Sequence, residues 1–294
     1  MSATTEAAVR RSARELGYRP NAAAQALRRG TARAIALVVP DVTNPFFGQL
    51  LRGAQRAARA AGHWVALVDT ENDRGWHRES FDVLRAGPVD GFLLFELEPP
   101  AKPSPGDHIV LIETESPHMP SVTFDVDAGA TAAVGHLLAL GHTRIGHLAS
   151  AIDAPTFRIR EAALRRELAS AGIEPDQPRA TAEFHVESAT VAGHELIHEG
   201  VTAIVCDDDI LAAGAYLAAR DMGRAIPDEL SIVGFDDLEI ARLLDPPLTT
   251  VAADAELLGA TAFGVLESRM AGRRTRRRTV LPTELVVRGS TAPA

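Results

Sequence analysis

Short apolar runs alternate with longer amphipathic stretches along the chain from residue 34 onward. Runs such as AIALVV (34–39) are rich in β-branched residues and predict strands, whereas apolar positions spaced three and four apart predict helices. Because helices separate most of these strands, the pattern favours parallel sheets covered by helices on both faces. The predicted strands are residues 34–39, 63–69, 90–95, 108–113, 121–124, 144–149, 203–206, 230–235 and 249–253, and the predicted helices are residues 46–61, 74–86, 127–140, 158–171, 187–199, 209–222 and 254–271.

This alternation of strands and helices occurs twice, and PSVTFDVDAG (120–129) marks the boundary between the two repeats. Two smaller sheets are therefore favoured over one large sheet, and we predict an α/β fold with two doubly wound parallel-sheet subdomains. The N-lobe should span about residues 33–124 plus part of 253–294, and the C-lobe about residues 125–252 plus the remainder.

The first 30 residues follow a different pattern. Residues 3–16 are helix formers, and GYRP (17–20) should end that helix. The next stretch, AAAQALRR (22–29), is too short for a stable isolated helix, so it should fold only against a partner.

Charge is distributed unevenly along the chain, which has a formal net charge of −9. Residues 1–33 contain seven arginines and two glutamates, so this segment carries +5. A basic N-terminal arm on an acidic body is typical of a protein in which only the arm faces nucleic-acid phosphate, although a solvated basic helix is the alternative.

Composition excludes several other classes of protein. The single cysteine, Cys206, excludes an internal disulfide and a multi-cysteine metal site. No apolar run is long enough to span a membrane and no signal peptide is evident, so we expect a soluble cytoplasmic protein. The glycine-rich phosphate loops of nucleotide-binding proteins are absent, and DVDAG (125–129) lacks most ligands of a calcium loop, so we predict no cofactor and no metal.

The segment HELIH (194–198) matches the zinc-protease pattern H-E-x-x-H. Its helix should place Ala189, Ala192, Leu196 and Ile197 toward the sheet and both histidines toward solvent. No third protein ligand for a catalytic zinc is identifiable, so a metallopeptidase is the weaker alternative.

Several motifs distributed over essentially the whole chain resemble those of the LacI/GalR family of sugar-responsive bacterial transcriptional repressors. They include ELGYRPNAAAQAL, DVTNPFF, HLLALGHTRIGHLA, AIVCDDDILAAGA, GRAIPDELSIVGFDDLEIARLLDPPLTTV and LPTELVVRGST. The resemblance implies a periplasmic-binding-protein-like core that binds a small effector, with a sugar or sugar derivative expected, between two lobes. It also implies a homodimer that places N-terminal elements on operator DNA.

The resemblance assigns residues 1–30 to the third helix and the hinge helix of a DNA-binding headpiece, and residues 31–294 to the core. The headpiece's first two helices have no counterpart, so we expect a natural start about 30 residues upstream of Met1. In the hinge helix, Leu27 matches the leucine that wedges into the minor groove, although it could instead only cover the lobe below it. The DNA-binding positions implied are Asn21, Ala24, Gln25, Leu27 and Arg28.

The resemblance also implies an effector site at the strand ends. It assigns this role to Phe46, Phe47, Arg160, Phe184, Asp208 and Asp236. These residue types suit a sugar, because carboxylates and an arginine bind hydroxyl groups while aromatic rings cover C–H faces. Asp69 and Glu113 also end predicted strands and are weaker candidates.

Each of these positions has a structural alternative. Asp208 or Asp209, and Asp236 or Asp237, could cap the helices that follow them. Arg160 could be a solvated helix residue, and Phe184 could belong to the core.

Two further alternatives concern function and charge. The protein could be a cytoplasmic sugar-sensing binding protein that does not bind DNA. The basic run RRTRRR (273–278) suggests a nucleic-acid patch, but a solvated turn between the last helix and the final strand is the commoner structure.

Overall fold

The computed structural model describes residues 33–73, 76–95, 103–104 and 106–294, together with the isolated positions Thr5, Arg11, Ser12 and Glu15. Only the backbone is described for residues 76–80. The predicted headpiece (1–30) with its DNA-binding positions Asn21, Ala24, Gln25, Leu27 and Arg28 lies outside the described residues.

The elements alternate between strand and helix as the sequence pattern predicts. In chain order they are β1 (Ala34–Val39), α1 (Pro45–Ala60), β2 (Trp64–Asp69), α2 (Trp76–Arg85), β3 (Gly91–Leu94), β4 (Ile109–Ile112), β5 (Ser121–Phe124), α3 (Val126–Ala139), β6 (Ile145–Ser150), α4 (Pro155–Ser170), β7 (Arg179–Ala182), α5 (Val186–His198), β8 (Ala203–Cys206), α6 (Asp209–Asp221), β9 (Ser231–Asp236), α7 (Glu239–Leu243), β10 (Thr249–Ala252), α8 (Ala255–Met270), β11 (Arg278–Leu281) and β12 (Glu284–Val286).

These strands form two six-stranded sheets. The first has the order β11-β5-β4-β3-β1-β2 and the second β12-β10-β9-β8-β6-β7. All neighbouring strands are parallel except β12, which runs antiparallel to β10. The predicted α/β fold of two doubly wound sheets is therefore confirmed, with one antiparallel edge strand that the sequence did not predict. The finer lobe boundaries stay a prediction.

Strand β1, which lies inside the first sheet between β3 and β2, is fully buried over its whole length. All six residues of β1 are 0% exposed, which explains why AIALVV reads as a continuous apolar run. Helices α1 and α8 cross on one face of this sheet at Gly53 and Gly259. A side chain at either glycine would collide with backbone atoms of the other helix, so this close crossing requires both glycines.

The sequence pattern missed β7 and α7, and after the basic run it predicted one final strand where the structure has two, β11 and β12. Strand β7 reads Arg-Ala-Thr-Ala, with two exposed positions and only alanines buried, so it has no apolar run to detect. Helix α7 has only five residues, and the edge strands β11 and β12 alternate exposed and partly buried side chains.

Helix α5 carries the HELIH segment. Its predicted stripe of Ala189, Ala192, Leu196 and Ile197 is buried in the core of the second sheet, as expected. His198 is exposed, whereas His194 is only partly exposed and lies 3.9 Å from Asp221 at the end of α6.

None of the helices in the described part of the chain is long and apolar enough to cross a membrane.

The C-terminal residues pack against the second sheet through a buried histidine. His142 is 3% exposed, and its two ring nitrogens lie 2.9 Å from the Thr202 hydroxyl and 3.0 Å from the Ala292 carbonyl oxygen. Burial lowers the pKa of His142, so the imidazole is neutral at neutral pH.

Replacing His142 tests this contact. In the unfolded chain the histidine is protonated below about pH 6.5, whereas in the folded protein the lowered pKa keeps His142 neutral to a lower pH. The free energy of unfolding of the wild type should therefore decrease as pH falls from about 7 to about 5. His142→Gln should be less stable at pH 7 by about 1–3 kcal/mol, because it loses buried hydrogen bonds, and its stability should fall less toward pH 5. Urea unfolding at both pH values measures this. His118→Gln, at an exposed histidine, is the control, and an unchanged pH dependence in His142→Gln would contradict the account.

Candidate functional site

A cleft lies where the carboxyl ends of strands from both sheets face each other. Its empty volume is roughly 760 Å³, including the space at its open mouth. The last residues of β5 and β9 and the segments that follow β1, β2, β3, β4, β6, β7 and β8 line it. This is the position at which doubly wound sheets bind ligands. The cleft wall includes Phe46, Phe47, Glu113, Arg160, Phe184, Asp208 and Asp236, all of which the sequence nominated.

Aromatic rings form two walls of the cleft. On the first-sheet side, the ring centroids of Phe46 and Phe47 are 5.5 Å apart, and the ring of Phe95 stands edge-on to Phe47 at 4.9 Å. On the second-sheet side, Phe157 and Phe184 lie 5.8 Å apart. Apolar ring faces on opposite sides suit a ligand with flat C–H surfaces.

Arg160 projects from α4 into the centre of the cleft. Its guanidinium lies over the ring of Phe235, with 3.5 Å between the guanidinium carbon and the ring centroid, and it donates a hydrogen bond to the main-chain oxygen of Asp207. The stacking contact and the hydrogen bond fix the orientation of the guanidinium. Arg160 is therefore a positioned cleft residue rather than a solvated one.

Asp208 has two roles at the start of α6. One carboxylate oxygen accepts from the main-chain N–H of Ile210, which caps the helix, as the structural alternative expected. The other oxygen accepts from the side-chain amide of Asn44, at 3.0 Å. Asn44 itself caps α1 by accepting from Phe46 N–H at 2.9 Å, so this pair connects the N-termini of α1 and α6 across the cleft.

Asp236 faces the cleft without a hydrogen-bonding partner among the described residues. It ends β9 with φ of +99°, a strained value for a residue with a side chain. Burial raises the pKa of Asp236 to about 8, Arg160 opposes this shift, and the nearby carboxylates Asp208 and Glu113 add to it. A carboxyl group held in this way without a donor is suited to hydrogen bonding with a ligand.

Glu113 occupies a related position after β4. It has φ of +56°, and one oxygen accepts from the main-chain N–H of Phe124 at 2.6 Å. Burial raises the pKa of Glu113 to about 7, against the lowering effects of that hydrogen bond and of Arg160. Near neutral pH the group can therefore both donate and accept.

The other carboxylates at these strand ends have protein partners. Asp207 accepts from His147 Nε2 at 3.1 Å and from Ser150 N–H at 2.8 Å. Burial by itself would raise the pKa of Asp207, but the His147 contact, the charge of Arg160 and the Ser150 N–H together offset it, and the pKa is lowered. Asp209 accepts from the Thr250 hydroxyl at 2.6 Å.

Asp237 pairs with Arg288 at 2.5 Å and Arg242 at 3.0 Å, so it is part of a structural ion-pair network. Neither Asp236 nor Asp237 caps α7. That helix begins after Leu238, which makes no side-chain capping bond, so the capping alternative is wrong at this helix.

Asp69 does not line the cleft. Its carboxylate accepts from the main-chain N–H groups of Val42 at 3.3 Å and Glu71 at 3.0 Å. It therefore shapes the loops after β1 and β2 instead of facing a ligand.

The cleft lining also contains residues that were not nominated from the sequence, among them Asn44, Phe95, Phe157 and Asp207. Phe157 was missed because the predicted helix began at residue 158, whereas α4 begins at Pro155. Asn44 stands in DVTNPFF before a proline, a helix-capping signal that could have indicated it. Over the part of the chain that the structure describes, no three metal-ligating side chains are grouped closely enough to hold a metal ion.

The raised pKa of Asp236 predicts an unusual effect of pH. Folded Asp236 keeps its proton up to about pH 8, whereas the carboxyl group in the unfolded chain releases its proton near its ordinary pKa. The free energy of unfolding should therefore fall as pH rises between these two values. This one group should contribute a decrease of up to about 1.4 kcal/mol per pH unit. Asp236→Asn should therefore lose less stability than the wild type between about pH 6 and pH 8 in urea unfolding. Asp237→Asn is the matched control, because it breaks two ion pairs and should be destabilising at both pH values. Equal pH dependence in Asp236→Asn and wild type would refute the assignment.

Known proteins resemble the chain over nearly its whole length. The periplasmic binding protein-like domain family matches residues 134–291. The HTH-type transcriptional repressor CytR of Escherichia coli (strain K12) is 30% identical, over 99% of this chain and 89% of the repressor. The structure of a transcriptional regulator CelR-cellobiose complex is 28% identical, with a TM-score of 0.79 over 99% of this chain and 91% of that chain.

The structure of a LacI family transcriptional regulator from Enterococcus faecium with bound ribose is also similar, with 25% identity and a TM-score of 0.80 over 89% of this chain and 99% of that chain. These relatives are regulators of transcription, so the metallopeptidase alternative for HELIH is wrong. The chain belongs to the LacI/GalR family, and it is an effector-responsive transcriptional regulator rather than an enzyme.

Proposed function

We propose that the cleft binds an uncharged polyhydroxylated effector, a sugar or sugar derivative, and that Phe46, Phe47, Arg160, Phe184, Asp208, Asp236 and Glu113 contact it. The observation that carries the proposal is Asp236, a carboxyl group that faces the cleft without a donor, beside the fixed guanidinium of Arg160. Sugar hydroxyls supply the missing donors and also accept from arginine. The bound cellobiose and ribose in the two similar structures support this class of ligand.

The charges in the cleft favour a neutral effector over an anionic one. Glu113, Asp207, Asp208 and Asp236 are acidic, whereas Arg160 is the cation that opposes them in the cleft lining. At neutral pH Asp207 and Asp208 are the ionised members of this set, and a phosphate or carboxylate on the effector would add negative charge beside them. Burial strengthens that repulsion. Neutral hydroxyl groups avoid this cost.

The position of the effector between the sheets suggests how its binding is communicated. Asn44 and Asp208 already join the helix N-termini of the two sheets, and an effector that contacts Phe47 on one side and Arg160 on the other would favour one arrangement of the lobes. A ligand shifts such an equilibrium by its difference in affinity for the two arrangements. We propose that this shift controls operator binding.

The remaining parts of the proposal concern assembly and location. A cytoplasmic homodimer would bring two N-terminal segments onto one operator, in keeping with the two-fold symmetry of repressor sites. The repressor relative supports DNA as the partner. Asn21, Ala24, Gln25, Leu27 and Arg28 are the proposed contacts of this segment.

Arg160→Ala tests the effector site. At a sugar concentration one hundred times its Kd, binding should raise the free energy of unfolding by about 2.7 kcal/mol and the Tm by several degrees. Thermal scans with ribose, cellobiose and other neutral pentoses, hexoses and disaccharides should find such a ligand for the wild type. Arg160→Ala should weaken it at least tenfold, because a charge-assisted hydrogen bond is worth about 1.5–3 kcal/mol.

Arg158→Ala is the matched control, since Arg158 lies on the same helix but its side chain is 65% exposed and pairs with Asp153. It should respond to sugar as the wild type does. Full stabilisation of Arg160→Ala by the same sugar would reject the cleft assignment.

A further inference from the structure

The run RRTRRR (273–278) places four arginines in the turn between α8 and β11 and a fifth, Arg278, at the start of β11. Two of them have protein partners, because Arg277 donates to the main-chain oxygen of Pro117 at 2.6 Å and Arg278 pairs with Glu115 at 2.8 Å. The other three are exposed, and no described residue accepts a hydrogen bond from their side chains. We call Arg273, Arg274 and Arg276 the arginine turn.

The course of α8 places the arginine turn at the amino-terminal edge of the first sheet, away from the cleft. Along α8, Glu256 contacts Arg56, Phe263 lies 5.9 Å from His63 before β2, and Leu266 packs on Gly91, the first residue of β3. The helix continues one turn beyond Leu266, so the residues after it lie at this edge.

The N-terminal segment joins the core at the same edge. Arg33 precedes β1, and its main-chain N–H donates to Asp90, which precedes β3. Four inter-strand spacings separate β1 from β11, or about 19 Å across the sheet. A partner of the N-terminal segment is therefore within reach of the arginine turn.

Charge identifies the chemistry of that partner. The chain as a whole carries −9, yet this edge adds the arginine turn to Arg33 and to Arg59, which is exposed at the end of α1. Asp90 and Asp107 also lie at this edge, but Asp90 accepts from Arg33 N–H and Asp107 pairs with Arg85. The arginine turn forms no ion pair with the described residues, so its guanidinium groups are available to phosphate, which guanidinium binds through two parallel hydrogen bonds.

We propose that the arginine turn contacts the phosphate backbone of duplex DNA beside the N-terminal segment. The proposal rests on the proposed operator binding and adds to it a second DNA-contacting surface, on the core itself. Backbone contacts of this kind position a protein and add affinity without selecting a sequence.

The test compares DNA binding by two triple variants of the full chain. A fluorescein-labelled duplex of about 30 base pairs and mixed sequence is the probe, and anisotropy gives its affinity from about 50 to about 200 mM KCl. Arg273→Gln/Arg274→Gln/Arg276→Gln removes the arginine turn. The control, Arg144→Gln/Arg165→Gln/Arg220→Gln, makes the same change in net charge at exposed arginines of the second sheet's helices and loops.

If each arginine contacts one phosphate, the slope of log affinity against log salt concentration should be shallower by about 2.7 in the arginine-turn variant than in the wild type. The factor by which affinity falls from about 50 to about 200 mM KCl should then be about 40-fold smaller in the variant. The control variant should keep the wild-type slope. Equal slopes in both variants would overturn the proposal that the arginine turn contacts DNA, while leaving the proposed DNA binding intact. Absence of DNA binding by the wild type would overturn both proposals. Sugar-induced thermal stabilisation, measured on the same samples, reports separately on the cleft.

Discussion

The site depends on a single guanidinium held in the middle of a group of carboxyl groups. Arg160 is fixed by the ring of Phe235 and by the main-chain oxygen of Asp207, and its charge lowers the pKa of Glu113, Asp208 and Asp236 against the effect of burial. Without this cation, burial and mutual repulsion would act unopposed on the carboxyl groups. The cleft therefore combines carboxyl groups that can donate or accept with one fixed guanidinium donor, an arrangement that suits the proposed polyhydroxylated ligand.

The backbone around the cleft contributes to this arrangement at some cost in stability. Glu113, Asp236 and Asp237 all have positive φ, at +56°, +99° and +52°. Such conformations cost about 1–3 kcal/mol each in residues with side chains, and they persist where the surrounding structure holds them. In this protein the Asp237 ion pairs with Arg288 and Arg242 hold the end of β9, and the hydrogen bond from Phe124 N–H to Glu113 holds the end of β4.

Much of the fold and part of the site could be predicted from sequence, for identifiable physical reasons. Buried parallel strands such as β1 are continuous apolar runs, and they are recognisable locally. Strand β7 and helix α7 were missed because their residues acquire a role only through their neighbours. The cleft positions of Arg160 and Asp236 followed from motif resemblance, whereas the Asn44 contact with Asp208 joins residues 164 positions apart and no local pattern indicates it. Asp69 was nominated because it ends a predicted strand, but its carboxylate binds the main chain of its own loop and does not line the cleft.

The state of the cleft carboxyl groups can be measured directly by carboxyl ¹³C NMR titration of the ligand-free protein, with Asp236→Asn and Glu113→Gln used to assign the signals. The account predicts that Asp236 titrates near pH 8 and Glu113 near pH 7, and that both values rise further in Arg160→Met, which removes the opposing cation. Ordinary values near pH 4 for both groups, unchanged by Arg160→Met, would contradict it.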